Sequence, residues 1–406
     1  MPEFPPLTPP ERIEGWKHRL GFERAQRSWI SERRREVTAE LDLPPYEGVL
    51  ARQVLGSRPP HVVVVPQEGR AFDSFRAGTR NFYYEAWRSL AEEIGEESVS
   101  VFHVDPGESP SAWHVRLLDY VVSVGATHVI THIETDPGSA GASWTWDTAW
   151  GLLSSRWDGV LLGVMFDSAF EWIAAKSRLL ARMSPRFVVV DICMPMDGSM
   201  VRGRPEVGPV NMPVSRESLA LVDEHLAGLT PTHDVSFIGV MYPYRMELVS
   251  RLRALGISVA VNPHRSDEAE DEVSSRVAQP SWLDYMAGLR SSSMTLNFSQ
   301  SSAGRFEQLK TRVIEATLAG TLLLTDDRDR TRLFWTPEKE FGFFRTAETA
   351  GPVIQGYLSD RQRMAEVVTA GERRARSLAH RNFWGGIETG LGRRGLPSVG
   401  FAHDAG

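Results

Sequence analysis

The residues best suited to chemistry crowd into one stretch, Ser292 to Asp327. There a run of small polar side chains, Ser299 to Arg305, leads into Glu307, Gln308, Lys310, Arg312 and Glu315. Met294 to Phe298 reads as a strand, Glu307 to Ala319 as a helix and Thr321 to Thr325 as a second buried strand, with Gly320 placed to cap the helix. Small residues that close a strand and open a helix leave backbone N–H groups free at the positive end of the dipole, which suits phosphate. Lys310 then falls in the first helical turn. Only four of the 45 basic residues are lysines, namely Lys17, Lys176, Lys310 and Lys339, so a Lys here points to a need for a compact charge.

The expected helix carries an unusual stripe. At about 100° per residue, Gln308, Thr311, Arg312 and Glu315 share one side of an otherwise apolar cylinder. A polar stripe between two buried strands must line a cleft or meet a partner. The spacing equally suits an Arg312–Glu315 pair on a solvated face, and both alternatives stay open.

A second group of candidates lies at the ends of other strands. Arg245 follows the strand Val235 to Val240, where α/β folds bind ligands. In the first half, His132, Glu134 and Asp136 follow one strand and Asp167 ends the next. These can face a ligand or serve as ordinary structural polar groups. His132, Glu134 and Asp136 alternate in an extended segment, which puts them on one face without requiring a metal. Trp144, Trp146, Trp150 and Trp157 crowd together and suit either stacking on a sugar ring or core packing.

Asn297-Phe298-Ser299, Gln308-Leu309-Lys310-x-Arg312-Val313-x-Glu315 and Ala319-Gly320-x-Leu322-Leu323-Leu324-Thr325-Asp326 resemble the C-terminal signature of the spore-maturation-protein-like glycosyltransferases. That group is related to retaining glycosyltransferase family 4. Phe237-Ile238-Gly239 with Tyr242-Pro243-x-Arg245 resembles the opening of the same domain. The resemblance implies a GT-B fold, with two Rossmann-like domains facing a central cleft. It also implies sugar transfer from a nucleoside-diphosphate donor, with retention of configuration.

Glu307 and Glu315, eight apart, match the Glu-x7-Glu pattern of family 4, which assigns the ribose to Glu315 and the donor sugar to Glu307. By the same resemblance Ser299, Arg305, Gln308, Lys310, Arg312 and Arg245 serve the nucleotide and its diphosphate. Val240 and Met241 stand where family 4 often has an Arg, so a phosphate contact is either lost or supplied by Arg305 or Lys310. His132 and Asp167 are the catalytic candidates on the acceptor side. No metal and no bound cofactor are expected, the nucleotide sugar being a co-substrate.

The rest of the chain must position these groups. Its 406 residues suffice for two domains, and 42% hydrophobic with 24% charged residues is ordinary for a globular protein. A net charge of −7 argues against a general nucleic-acid binder. The lone Cys193 excludes an intramolecular disulfide and a thiolate metal cluster. The N-terminus lacks the pattern of a secretory signal and no run is long enough to span a membrane, so a cytoplasmic enzyme is expected.

Dense Val/Ile/Leu runs alternate with helical windows twice over, which predicts two parallel sheets. The first starts at His61 and the second at Val235. No Gly-x-Gly-x-x-Gly follows the first strand. The expected layout is a partly helical N-terminal extension over 1–57, an acceptor domain over 58–230, a donor domain over 231–380, and a final helix over 381–406 crossing back to the first domain. Residues 194–233, rich in Pro and Gly, read as the connection. A homodimer is compatible with this layout. Two other functions fit the same fold: a nucleotide-sugar 2-epimerase and a non-catalytic sugar-binding protein.

Overall fold

A computed structural model describes residues 58–66, 75–103, 110–133, 157–166, 184–192, 207–263, 281–300, 307–379 and 381–402, with the isolated positions 153 and 181. The N-terminal extension, Cys193, Glu134, Asp136, Asp167, Arg305 and three of the four clustered tryptophans lie outside them.

Two five-stranded parallel sheets form the scaffold. The first contains β1 (Val62–Val64), β2 (Val99–Val101), β3 (His128–His132), β4 (Val160–Met165) and β5 (Phe187–Asp191) in the order β2-β1-β3-β4-β5. The second contains β6 (His233–Phe237), β7 (Val259–Val261), β8 (Ser292–Asn297), β9 (Leu322–Thr325) and β10 (Gly342–Phe343) in the order β10-β9-β8-β6-β7. Counted from its own first strand, each sheet has the same doubly wound order. The expected fold class of two Rossmann-like halves is therefore observed. In each sheet the order reverses between the first and third strands, β1 and β3 or β6 and β8, and the crevice beyond their C-terminal ends is where such folds take ligands.

The helices are α1 (Phe82–Ile94), α2 (Pro110–Ser123), α3 (Arg216–Leu226), α4 (Pro243–Ala254), α5 (Trp282–Arg290), α6 (Arg312–Leu318), α7 (Ala347–Ser359), α8 (Arg361–Leu378) and α9 (Arg381–Arg393). Their starts are fixed by side chains. Asn81 accepts from the N–H groups of Tyr83 and Tyr84 at 3.0 and 3.2 Å, and Ser215 accepts from Ser218 N–H at 3.1 Å. Ser215 opens α3 inside the stretch whose Pro and Gly content reads as a bare connection.

The helix expected from Glu307 to Ala319 is shorter than its periodicity suggests. α6 has seven residues and starts at Arg312. Glu307 instead bridges Gln300 in antiparallel fashion, and Gln308 N–H donates to Ser299 O at 3.0 Å. Extended pairing with the preceding loop outcompetes the local helical pattern. Lys310 therefore stands before the helix, and the anion site expected at a Glu307 helix N-terminus does not exist in that form. The other end matches: Gly320, at φ 66°, turns the chain out of α6, where residues with a Cβ are disfavoured.

Among the described residues the chain passes between the halves twice, and the two passages are tied together. Asn211 N–H donates to Asn382 Oδ1 at 2.7 Å, and Val214 N–H to Ala379 O at 2.8 Å. Val214 and Val222 pack in the core of the second half with Val313 and Ile314. α9 returns to the first half, where Phe383, Trp384, Ile387 and Leu391 pack with Val62, Ile130 and Leu162. Trp384 is fully buried, and its indole N–H donates to Ser89 Oγ at 2.9 Å. Trp384→Ala should destabilise the protein by about 3–5 kcal/mol. Urea unfolding followed by far-ultraviolet circular dichroism tests this, and an unmoved midpoint would show that α9 contributes little to the first core.

Candidate functional site between the two halves

The crevice beyond β6 and β8 is built around one ring. Phe237 ends β6 and is buried against Phe298, their ring centroids 5.5 Å apart. The Arg312 guanidinium lies 4.7 Å from the Phe237 centroid and that of Arg245 lies 5.4 Å from it. Arg245 is only 6% exposed. Its Nε donates to Tyr244 Oη at 2.7 Å, its Nη1 to Val240 O at 2.8 Å, and its guanidinium also faces the Tyr242 and Tyr244 rings. Burial lowers its pKa, and the nearby Arg312 adds to that effect.

Among the described residues neither Arg245 nor Arg312 pairs with a carboxylate, and the buried Nε of Arg312 has no hydrogen-bond partner. Two like charges on one aromatic ring, neither ion-paired to a carboxylate among the described residues, suit a ligand carrying two negative charges.

Gly239 makes this approach possible. It sits at φ 142°, and a Cβ there would collide with Arg312 Nη2. Asn262 clamps it on both sides, accepting from Gly239 N–H at 2.7 Å and donating to Gly239 O at 3.2 Å.

Glu315 lies on α6 and its side chain is only 4% exposed. Its Oε2 accepts from Tyr285 Oη of α5 at 3.1 Å, and its Oε1 lies 2.6 Å from Arg80 Nε of the first half. Burial pushes the Tyr285 hydroxyl well above its usual pKa, Glu315 adds to the rise, and Arg312 and Arg80 oppose it. Tyr285 thus stays a donor. The pairing of Glu315 with Arg312 on a solvated face is not what forms: Glu315 turns to Tyr285 and Arg80, while Arg312 lies over Phe237 and reaches the same Tyr285 hydroxyl.

The remaining candidates divide. Glu307 is half-buried, its Oε1 is 3.5 Å from Arg328 Nη1 and its Oε2 is buried without a partner. Burial raises its pKa, with Asp326 adding and Arg328 opposing. Ser299 is buried, and its hydroxyl is committed to Asp326 Oδ1. Gln308 is buried beside it, and Lys310 is half-buried and contributes a favourable charge to Glu307. His132 ends β3 in the first half, edge-on to Phe166 at 5.0 Å. Trp157 is a core residue whose indole N–H donates to Ala126 O at 2.8 Å. Among the described residues no group of three or more His, Cys, Asp or Glu is placed to hold a metal, and no helix is long and apolar enough to cross a membrane.

Sequence reasoning missed Arg80, Tyr285 and Glu85. Glu85, on α1 and buried, accepts from Ser215 N–H at 2.6 Å and from the Ser218 hydroxyl, both at the start of α3. It lines the same small interdomain pocket as Arg80, Trp282, Thr311 and Glu315. The only sequence signal for it is an acid on the apolar side of a helical window.

Residues 245–383, about a third of the chain, match a family model described as glycosyl transferase-like. No curated protein matches the chain in sequence. Solved structures that resemble it include sucrose-phosphate synthase from Thermosynechococcus elongatus, at 12% identity over 83% of this chain and 98% of that one, with a TM-score of 0.43. AviGT4, a glycosyltransferase involved in avilamycin A biosynthesis, aligns at 16% identity over 79% and 98%, with a TM-score of 0.39. HepE from Anabaena in complex with UDP-glucose aligns at 9% identity over 82% and 97%, with a TM-score of 0.38.

Burial raises the Glu85 pKa from 4.5 to about 7, against the lowering effect of its Ser215 and Ser218 hydrogen bonds. The folded protein therefore binds more protons than the unfolded chain between those values, and stability falls as pH rises through that window. Asp329, raised to about 7 by burial first and Asp326 next, acts in the same direction. Glu85→Gln should remove Glu85's share, on the order of 3 kcal/mol. Unfolding midpoints compared from pH 5 to pH 8 should decline less steeply in the variant than in the wild type; equal slopes would exclude the buried Glu85 as a cause.

Proposed function

We propose that the protein is a glycosyltransferase that moves a sugar from a nucleoside-diphosphate donor to an acceptor. The observation that carries this reading is the pair of enclosed guanidiniums, Arg245 and Arg312, set on Phe237 at the switch point of the second sheet, neither in an ion pair with a carboxylate among the described residues. A diphosphate answers that charge. The match of residues 245–383 to a glycosyl transferase-like family supports the same reading.

On this reading the diphosphate binds against Arg245, Arg312 and the turn at Gly239, and Glu315 accepts from a ribose hydroxyl. Glu307 faces the donor sugar, and Ser299, Arg305, Gln308 and Lys310 complete the donor side. As the glycosidic bond breaks, its electron pair goes to the diphosphate oxygen, and the fixed guanidiniums stabilise the charge that develops there. The acceptor enters from the first half, where His132 and Asp167 are the acid–base candidates. Retention of configuration and independence from metal belong to the proposal through the resemblance given above.

Calorimetric titration with UDP, GDP and dTDP tests the site and names the base. Glu315→Ala should weaken binding of the preferred nucleotide about tenfold or more, since a hydrogen bond to a charged group contributes roughly 1.5–3 kcal/mol. Arg312→Ala should weaken both that nucleotide and inorganic pyrophosphate by a similar factor. Unchanged affinities in folded variants would remove the assignment. Transfer measured in EDTA should proceed at its ordinary rate, and inhibition reversed by added metal would overturn metal independence.

A further inference from the structure

One residue of the first half reaches into the donor side of the second. Arg80 precedes Asn81, the cap of α1, and its backbone sits in the left-handed region at φ 57°. Few residues with a Cβ adopt that conformation unless the surroundings hold them there, and it aims this side chain across the gap. Its Nε lies 2.6 Å from Glu315 Oε1, its Nη2 donates to Thr311 Oγ1, and its guanidinium lies 5.7 Å from the Tyr285 ring. Every one of these partners belongs to α5, α6 or the residue that caps α6. The two side chains differ in exposure: Arg80 is 37% exposed and Glu315 only 4%. The carboxylate is thus the fixed, enclosed member of the pair and the guanidinium the member with access to water.

Both oxygens of Glu315 are engaged, one by Tyr285 and the other by Arg80. A buried carboxylate needs such partners when no ligand is present, because an unpaired charge at 4% exposure is strongly disfavoured. Tyr285 moves with α5 of the same half and can stay in place. With Glu315 only 4% exposed, the Arg80 guanidinium fills the approach to that oxygen, so a sugar hydroxyl reaches it only by displacing the guanidinium.

We propose that Arg80 is an internal competitor of the nucleotide. In the empty protein it occupies the Glu315 oxygen that a ribose hydroxyl takes in the complex, and it holds the two halves together there. Nucleotide binding breaks the Arg80–Glu315 pair and frees that contact between the halves. This rests on the ribose role of Glu315 given under the proposed function. Arg80 is a positioning residue in this scheme: it acts on affinity through Glu315, and it sets how much of the protein is ready to bind.

The test uses Arg80→Asn, because Asn tolerates a positive φ and removes the guanidinium, with Arg80→Lys as a second variant that keeps the charge. Affinities for UDP, GDP, dTDP and inorganic pyrophosphate are measured at pH 8 for each variant and the wild type. If the competing state holds most of the population, Arg80→Asn tightens the preferred nucleotide about five- to tenfold and leaves pyrophosphate unchanged. Arg80→Lys falls between Asn and the wild type. In the Glu315→Ala background Arg80→Asn has no further effect.

Weaker binding of both nucleotide and pyrophosphate in Arg80→Asn would make Arg80 a phosphate ligand and overturn the proposal; so would unchanged nucleotide affinity. Those outcomes leave the ribose assignment standing as long as Glu315→Ala still weakens the nucleotide. Loss of the Glu315→Ala effect itself would show that the underlying assignment has failed. Hydrogen exchange of the wild type provides a measurement that needs no variant. Adding nucleotide should speed exchange in residues 81–85, and slower exchange there would count against displacement of Arg80.

Discussion

A carboxylate shut away from water has to be matched by donors, and the way Glu315 is matched organises the space between the two halves. One donor, Tyr285, comes from the neighbouring helix of the same sheet. The other, Arg80, comes from the opposite half. Because each half is a complete doubly wound sheet with its own core, nothing about either alone demands that they touch here. The demand arises from the desolvated charge, which a second half must satisfy when no ligand does.

The positive side of the crevice follows a different rule. Among the described residues Arg245 and Arg312 form no ion pair with an acid and lie instead against aromatic rings, Phe237 common to both and Tyr242 and Tyr244 beside Arg245. Aromatic faces stabilise a guanidinium without consuming its charge. That distinction separates a structural ion pair from a site kept electropositive for something else. It also explains why a chain with net charge −7 can still present a concentrated positive patch.

Much of this was legible in the sequence wherever the signal was local. The Val-rich runs became buried parallel strands, and the turn after α6 has a glycine because its φ is positive. The helix start was misread because Glu307 to Lys310 satisfy a helical period while Gln300 and Ser299 offer them an extended partner. Periodicity cannot see that competition. Arg80 was invisible for a stronger reason: its partners Tyr285, Thr311 and Glu315 all lie far along the chain, and nothing in the neighbourhood of Asn81 distinguishes it from any exposed arginine. The pair of guanidiniums on Phe237 was half legible, since Arg245 and Arg312 were each singled out but their common ring was not.

The two points where the backbone leaves one half for the other are bonded to each other, Asn211 to Asn382 and Val214 to Ala379. Two separate crossings would resist both tilting and sliding. Crossings stitched side by side leave one seam instead, with α9 and its Trp384 packed into the first half on one side of it and the start of α3 bonded to Glu85 of α1 on the other.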